Sequence, residues 1–382
     1  MSAQMPGIQL AKTVTSVAAL GFVPVAIKFG LFDILVEIGK PAHGKEVLMA
    51  YQHSANGDEK NMPFDRRRIV RHGGTRFGGH DSRVRLLRQR HYQALSAYTL
   101  GSTWSVAFVS RRIFNQTGPC QSKSPSTTEA LLAGAFLMRR LESDGYQYPF
   151  QELQTPLQFA YQKMGDVELA QQHTYDIMAA EGRMDSFNRF MVGKFMKTAT
   201  APERLALFQY HLNPVLQDAK SRRVIAMVDI GGGRGEMMLE FKQAFPDLTD
   251  KDLVVQEFNQ EIREIPGLTL STWDYKDDGS KQPIEGAGVY HLAHILHNLP
   301  DLDAARLLQK LSQAMHPQSR LLIHEFTKNA NNAKMHASMI ALFGGRERSA
   351  SEWRQLAAVA GLRVTFEAYP EAGEGLVEMR KL

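Results

Sequence analysis

The second half of the chain alternates short apolar runs with amphipathic stretches. Four apolar runs predict buried strands of a parallel sheet, at 224–230, 253–258, 288–292 and 320–326. Apolar residues at three- and four-residue steps predict helices at 235–245 and 303–315. Strands that alternate with helices are typical of a doubly wound α/β sheet, which binds ligands at the carboxyl ends of its strands.

The end of the chain adds a helix and two strands to this sheet. Ser349 and Glu352 form a capping-box pattern at the start of a helix, and Gly361 is placed to cap its end. Two further runs predict the closing strands, at 362–369 and 375–380.

The first half is mainly helical wherever its pattern is regular. Apolar spacing predicts helices at 8–38, 128–138, 156–199 and 202–218. The stretch 40–128 has no clean period and is too long for an ordinary loop in a compact domain. A mobile insertion and a segment from a faulty exon assignment both stay open as explanations. We therefore predict a mainly helical domain over 1–200 and an α/β domain over 201–382.

Composition restricts the class of protein. A length of 382 residues suits about two domains. No apolar run approaches the roughly 20 residues of a membrane-spanning helix, and the N-terminus lacks a secretory pattern, so we expect no membrane association. Cys120 is the only cysteine, which excludes an internal disulfide and a thiolate metal cluster. A lone cysteine suits a reducing compartment, and we expect a cytoplasmic protein.

The net charge of +5 comes from one segment. Residues 60–92 hold ten Lys and Arg against two acids, a local charge of +8 (10 − 2), which leaves −3 (5 − 8) for the rest. A basic segment can bind phosphates, but we favour a solvated loop or an atypical insertion as its explanation. Because no aromatic residues interleave these arginines in a stacking pattern, we expect no nucleic-acid partner.

Candidate chemistry begins at a glycine turn. The motif Val-Asp-Ile-Gly-Gly-Gly-Arg-Gly at 228–235 joins a predicted strand to a predicted helix, and Glu257 follows 22 residues after the last glycine. Glycines allow a ligand to approach the backbone, and amides at a helix start favour negative charge. An acid after the next strand suits a ribose diol. The motif therefore predicts a nucleoside-containing cofactor.

The form of the turn favours one cofactor over another. A dinucleotide site has the pattern G-x-G-x-x-G, whereas here Glu236 follows a D-x-G-G-G-x-G pattern that lies behind a large helical domain. Together these differences favour S-adenosylmethionine (SAM) over NAD.

Several short blocks resemble one family in order and spacing. They lie at 229–235, 255–258, 273–275, 290–301, 321–326 and 344–353. Their sequence resembles the plant and fungal small-molecule O-methyltransferases over about 130–382, while 8–38 resembles the first dimerisation helices and 40–128 matches poorly. The resemblance implies a Rossmann-like class I methyltransferase domain, an N-terminal mainly α-helical dimerisation domain, and a homodimer.

The resemblance also implies which residues hold SAM. They are Asp229, Gly231, Gly232 and Gly233 in the glycine loop, Glu257 and Phe258 after the second strand, and Asp274 and Tyr275 beside the adenine. Tight helix–strand packing is an alternative role for Gly232 and Gly235, and a solvated strand end is one for Glu257.

Methyl transfer to oxygen is an in-line displacement that needs a placed acceptor and a base for its proton. An imidazole suits this task, and a carboxylate on its far nitrogen fixes the tautomer. His297 follows a strand at the ligand-binding edge of the sheet, with His291 and His294 as competitors. The resemblance matches His297 to the general base and Glu325 and Glu347 to the carboxylates beside it.

Departures from the family pattern leave the reaction open. Asn298-Leu299 replaces the usual Asp-Trp after the base, and Ala293 replaces a common Lys or Arg. An alternative role for Glu347 is a salt bridge with the neighbouring Arg346 or Arg348. The leading hypothesis is a SAM-dependent O-methyltransferase of a polyketide-like or aromatic secondary metabolite. The alternative is a SAM-binding pericyclase or dehydratase on the same scaffold that does not consume SAM.

Two further predictions concern the acceptor pocket and metal binding. By resemblance Phe187, Asn188 and Met191 line the acceptor pocket, although such a methionine also packs cores and dimer interfaces. We expect no metal, because the histidines at 291, 294 and 297 are not expected to share a face and no cysteine assists them.

Overall fold

A computed structural model describes most of the chain outside 58–126. The described residues are 16, 18–39, 42, 44–57, 127–184, 187, 199–258, 262–371 and 373–382. Twelve α-helices within this part are, in chain order, α1 (Val23–Lys28), α2 (Leu31–Ile38), α3 (Gly44–Gly57), α4 (Thr127–Ser143), α5 (Pro156–Met164), α6 (Thr174–Ala180), α7 (Ala201–Leu207), α8 (Asn213–Arg222), α9 (Glu236–Ala244), α10 (Asp301–Ala314), α11 (Ala333–Phe343) and α12 (Ala350–Val359). The strands are β1 (Met227–Ile230), β2 (Leu253–Gln256), β3 (Thr269–Ser271), β4 (Val289–Ala293), β5 (Arg320–Phe326), β6 (Leu362–Ala368) and β7 (Glu374–Lys381). Two 3₁₀ turns span Leu169–Gln171 and Leu296–Asn298.

The described residues group into two compact units. One contains 199–332 and 343–382, and the other contains 16–187 and 333–342. The sequence placed a boundary at 200, beside residues 188–198, which lie outside the described part, so that boundary stays a prediction. The grouping of 333–342 with the N-terminal unit had no signal in the sequence.

The C-terminal unit is a seven-stranded sheet with helices on both faces. Its strand order is β3-β2-β1-β4-β5-β7-β6; β1 to β5 are parallel, and β7 runs antiparallel to both neighbours. One face packs Tyr290 and Ile323 under α10 and α12. The other packs Val289 and Leu322 under α7, α8 and α9. The predicted doubly wound α/β fold is confirmed, and its parallel strands end along one edge.

The N-terminal unit is helical in its described part. Phe22, Leu137 and Phe150 form a buried cluster with Ile340 of α11. No single described helix has the length and apolar character to cross a bilayer; one pair, Ala18–Lys28 and Leu31–Ile38, meets those criteria jointly but is bent by 80°.

Three predicted helices are interrupted where the backbone turns left-handed. Gly30 (φ 59°) separates α1 from α2, and Gly165 (φ 91°) ends α5 before α6. Gln209 (φ 56°) follows α7, and α8 then starts with Pro214 in its first turn. Continuous helices over 8–38, 156–199 and 202–218 were therefore wrong where these residues are described. Apolar spacing alone does not reveal a residue whose backbone is left-handed, so it does not show where a helix ends.

Candidate active site

His297 lies on the 3₁₀ turn Leu296–Asn298, directly after β4 at the carboxyl edge of the sheet. The backbone of this turn is held from two sides. The Glu325 Oε1 atom accepts hydrogen bonds from the amides of Leu296 (2.8 Å) and His297 (3.2 Å). Arg348 donates to the carbonyls of Leu296 (2.7 Å) and Leu299 (3.0 Å). The turn is thus fixed by the side chains of Glu325 and Arg348, which bond its backbone atoms.

The imidazole of His297 is itself oriented by two carboxylates. Its Nδ1 lies 2.9 Å from the Glu347 Oε1 atom and 3.3 Å from the Glu325 Oε2 atom. Its side chain is only 7% exposed, and its ring stacks on Phe326 with centroids 6.4 Å apart. When Nδ1–H donates to Glu347, the neutral ring carries its lone pair on Nε2. The constellation therefore presents one basic nitrogen of defined tautomer.

The two glutamates contribute differently. Glu347 makes the shorter contact to the imidazole, whereas the Glu325 Oε1 atom is occupied by backbone amides. Burial raises the pKa of Glu325 to about 7, with His297 opposing the shift and Glu347 adding to it. Glu325 thus mainly shapes the turn, and Glu347 is the better placed partner of the ring.

The stability of the protein should therefore fall as the pH rises through the window set by Glu325. An unfolded chain releases this proton near the ordinary pKa of 4.5, whereas the native state holds it up to about 7. At pH values between these two pKa values, unfolding releases a proton. The free energy of unfolding is therefore lower by roughly 3 kcal/mol above this range than below it. Glu325→Gln retains the oxygen that the amides need and removes the titration. In urea unfolding, the free energy of unfolding of the variant minus that of the wild type should increase by this amount from about pH 4 to about pH 8.

The exposed Glu285 provides the control for this prediction. Glu285→Gln should keep a constant stability difference from the wild type over the same range. If Glu325→Gln and the wild type lose stability in parallel as the pH rises, the proton is not on Glu325.

The segment Gly344-Gly-Arg-Glu-Arg348 contacts both the His297 ring and the turn that carries it. Arg346 and Arg348 both bond the Asp301 carboxylate, at 2.7 and 3.0 Å. Burial alone would raise the pKa of Asp301, but Arg348 and Arg346 more than offset it, so the pKa lies below its ordinary value. These contacts explain why Glu347 faces His297: the arginines on either side point to Asp301. This block resembles the family pattern, but its sequence does not reveal the contacts of Arg348 or the close packing at Gly345.

The glycine loop follows β1 and precedes α9. Gly231 (φ 66°), Gly233 (φ 57°) and Gly235 (φ 76°) are left-handed, which favours glycine at each position. A Cβ on Gly232 would lie 2.5 Å from the Asp229 Oδ2 atom, whereas one on Gly233 would have no heavy atom within 4 Å among the described residues. Gly231 is therefore favoured by its backbone conformation and Gly232 by close packing, whereas Gly233 borders open space in the described part of the chain.

Glu257 connects the end of β2 to this loop. Its Oε2 atom accepts a hydrogen bond from the Gly233 amide (3.0 Å), and its Oε1 atom accepts one from the Phe258 amide (2.8 Å). The Phe258 side chain is 53% exposed. The structure thus brings the predicted acid and the predicted loop into direct contact.

Asp274 and Tyr275 follow β3 on the next strand end. The Asp274 Oδ1 atom accepts from the Lys276 amide (2.9 Å), and Tyr275 is partly buried, with its ring 6.2 Å from that of Trp273. Trp273, left open between core and site, is 6% exposed and belongs to the core. The assignment of Asp274 and Tyr275 to the cofactor stays a prediction.

The two competing histidines have other partners. Both nitrogens of the fully buried His291 are engaged, Nδ1 with Asp229 (2.7 Å) and Nε2 with His324 (2.8 Å). The His294 Nε2 atom lies 3.1 Å from the Glu374 Oε1 atom. Of the three, His297 is the one oriented by a carboxylate pair.

Two of the three histidines considered as metal ligands lie close together. The rings of His294 and His297 do approach, with centroids 5.3 Å apart, and ligand atoms of His294, His297 and Glu325 all lie within 4.8 Å of one another. His294 turns towards His297 because its backbone is left-handed (φ 57°), which no periodicity predicts. The Nδ1 of His297 is nevertheless engaged with Glu347 at 2.9 Å, so a metal there would have to replace that bond. A metal-free site stays a prediction.

Of the predicted acceptor residues, Phe187 is described. Its ring lies 5.5 Å from that of Tyr175, and its amide donates to the Arg183 carbonyl. Asn188 and Met191 lie outside the described residues. The role of all three stays a prediction.

Comparisons with known proteins agree with this geometry. A family model described as an O-methyltransferase domain matches residues 181–363. The O-methyltransferase bfoE of Aspergillus brasiliensis is 44% identical to this chain over 377 residues, which cover 98% of this chain and 96% of that protein. The chain is therefore similar to this relative along nearly its whole length.

Two solved structures share the fold. OxaC in complex with SAH and oxaline is 20% identical, with a TM-score of 0.55, and the match covers 66% of this chain and 65% of that chain. A structure described as a pericyclic reaction enzyme is 19% identical, with a TM-score of 0.53, and the match covers 100% of this chain and 90% of that chain. At these identities the likeness concerns the fold alone.

Proposed function

This chain belongs to the O-methyltransferase family, and we propose that it transfers the methyl group of SAM to a hydroxyl of a polyketide-like or aromatic secondary metabolite. One observation carries the proposal. A buried imidazole, with its Nδ1 2.9 Å from a carboxylate, lies at the carboxyl edge of a sheet whose neighbouring strand ends in a glycine loop. A base beside a nucleoside-binding loop is what O-methylation requires.

The loop and the strand ends fit SAM. The Gly233 backbone borders open space, and the Glu257 carboxylate beside it can accept hydrogen bonds from two ribose hydroxyls. Asp229, Gly231 and Gly232 shape the loop, Phe258 adds a half-exposed ring, and Asp274 with Tyr275 would flank the adenine on the next strand end. When bound, SAM supplies an electrophilic methyl group on a sulfonium.

The chain's own residues then orient the acceptor and remove its proton. The Nε2 atom of His297 takes the hydroxyl proton as the acceptor oxygen attacks, and Glu347 stabilises the resulting imidazolium through Nδ1. Glu325 keeps the turn in place through the two amides it accepts from. Phe187, Asn188 and Met191 are our proposed acceptor contacts.

The alternative, a pericyclase or dehydratase that retains SAM, has support at the level of the fold alone. The pericyclic enzyme is 19% identical, whereas a relative named an O-methyltransferase is 44% identical along the chain. Product mass separates the two. When the enzyme is supplied with SAM and candidate phenols, in a host or in vitro, we expect a product that has gained one methyl group. One molecule of SAH should form for each molecule of this product. An isomer, or loss of water without SAH formation, would contradict methyl transfer.

We further propose a homodimer in the cytoplasm that acts on small molecules, with neither nucleic acid nor membrane as a partner. The homodimer rests on the resemblance of residues 8–38 to dimerisation helices. Sedimentation of the purified chain tests the dimer, and a monomer at micromolar concentration would contradict it.

Removal of one carboxylate should weaken cofactor binding specifically. We expect Glu257→Gln to raise the dissociation constant for SAH about tenfold to a hundredfold, because one of the two oxygens offered to the ribose becomes an amide donor. The remaining oxygen can still accept from the Gly233 amide, so the loop should persist. Isothermal titration calorimetry measures the change.

The control for this prediction is Glu264→Gln, at an exposed acid that precedes β3. It should bind SAH like the wild type. Equal affinity of Glu257→Gln and the wild type would remove Glu257 from the cofactor site.

A further inference from the structure

Three buried polar side chains form a row across the middle of the sheet. Asp229 of β1, His291 of β4 and His324 of β5 are 3%, 0% and 0% exposed. The His291 Nδ1 atom lies 2.7 Å from the Asp229 Oδ1 atom, and its Nε2 atom lies 2.8 Å from the His324 Nδ1 atom. Burial of polar groups among apolar residues such as Phe241 is costly unless each is paired. The two histidines have no part in the proton transfer described above.

The first member of this row lies directly under the glycine loop. Strand register places Asp229 beside His291, and the loop begins two residues after Asp229. One carboxylate oxygen faces His291, and the other lies only 2.5 Å from where a Cβ on Gly232 would be. The carboxylate therefore packs directly against the Gly232 backbone above it.

The third member decides where the proton of His291 resides. Burial lowers the pKa of His324 well below its ordinary value, so this ring is neutral. When the His324 Nδ1–H donates to the Nε2 of a neutral His291, the single proton of His291 is on Nδ1, facing Asp229. The Asp229 carboxylate then accepts a hydrogen bond from the His291 Nδ1–H, while His324 donates to the Nε2 atom of the same ring.

We propose that His291 and His324 are positioning residues for the cofactor loop. His291 holds the Asp229 carboxylate against Gly232, and His324 keeps the proton of His291 on the nitrogen that faces Asp229. This inference rests on the proposed SAM site. Loss of the pair leaves Asp229 unpaired in an apolar layer, and the loop shifts with it.

Two matched pairs of variants test the role. His291→Phe fills the same space without a donor, whereas His291→Asn retains an amide N–H near the place of Nδ1. At His324, the neighbour of His291, His324→Leu likewise removes the donor and His324→Asn retains an amide N–H. SAH affinity by calorimetry, the KM for SAM and kcat at saturating SAM are measured for each, with the unfolding temperature as the readout of structure.

We expect His291→Phe to weaken SAH binding about tenfold to a hundredfold and to raise the KM for SAM in parallel, with kcat within about threefold of the wild type. His291→Asn should restore most of that affinity. His324→Leu should weaken binding less, and His324→Asn should restore it. A folded set in which both members of each pair bind SAH alike would overturn the proposal.

The possible failures are distinguishable. Wild-type protein that does not bind SAH contradicts the proposed function itself. Wild-type binding that survives in every variant contradicts only the positioning role. If His291→Phe does not fold, the His324 pair decides, because those substitutions leave the residues Asp229 and His291 themselves unchanged; equal affinity within that pair then overturns the proposal.

Discussion

The replacement of His297 by asparagine is expected to lower kcat for methyl transfer by about 10²- to 10⁴-fold, the range that general-base catalysis contributes. Asparagine retains an N–H near the place of Nδ1, which lies 2.9 Å from Glu347 in the wild type, but has nothing in place of Nε2. The variant therefore loses the base while keeping the contact that orients it. SAH affinity should stay within about threefold of the wild type, because the glycine loop is untouched.

Initial rates at saturating SAM, followed by mass spectrometry of the methylated product, measure this effect. His211→Asn is the matched control, since His211 is exposed, and it should behave as wild type. A His297→Asn enzyme with undiminished kcat would remove His297 from the role of base. A variant that also loses SAH binding would show that the substitution disturbs the fold rather than the proton transfer.

The elements of the sheet were predictable because burial enforces their pattern. The apolar runs at β1, β2, β4 and β5 mark strands covered on both faces, and the predicted run for β5 coincides with the observed Arg320–Phe326. β3 was missed because its three residues are too short to show a period. α11 was missed although its apolar residues are buried, because they lie outside the strand–helix alternation that guided the prediction.

The residues around the base were predictable, but the separate role of each was not. The sequence placed Glu325 and Glu347 beside His297, and the geometry has both within 3.3 Å of Nδ1. It could not separate their roles, because the amides that occupy Glu325 belong to a 3₁₀ turn that no spacing reveals. Likewise, His291 was a candidate base until strand register placed it beside Asp229. Residues brought together by register leave no local signal in the chain.

The replacement of Gly345 by alanine should give the largest loss of stability. A Cβ at this position would lie 2.1 Å from the carbonyl oxygen of His297, 2.5 Å from the carbonyl carbon of Asn298 and 2.7 Å from the amide nitrogen of Leu299. All three are backbone atoms of the turn that carries the base, and Arg348 and Glu325 hold that turn from both sides, so no flexible side chain can yield. We expect the free energy of unfolding to fall by about 3 kcal/mol, at the upper end of the cost of overpacking.

Urea unfolding at constant pH measures that loss, and Gly279→Ala is its matched control. Gly279 is exposed, has no positive φ, and its Cβ would meet only the Asp277 Oδ1 atom, at 3.5 Å, so alanine there should change stability by less than about 0.5 kcal/mol. Folded Gly345→Ala should also lose kcat more than SAH affinity, because the strained atoms carry His297 and not the glycine loop. Equal stabilities of the two alanine variants would show that the turn can move away from residue 345, and the base would then not be rigidly placed.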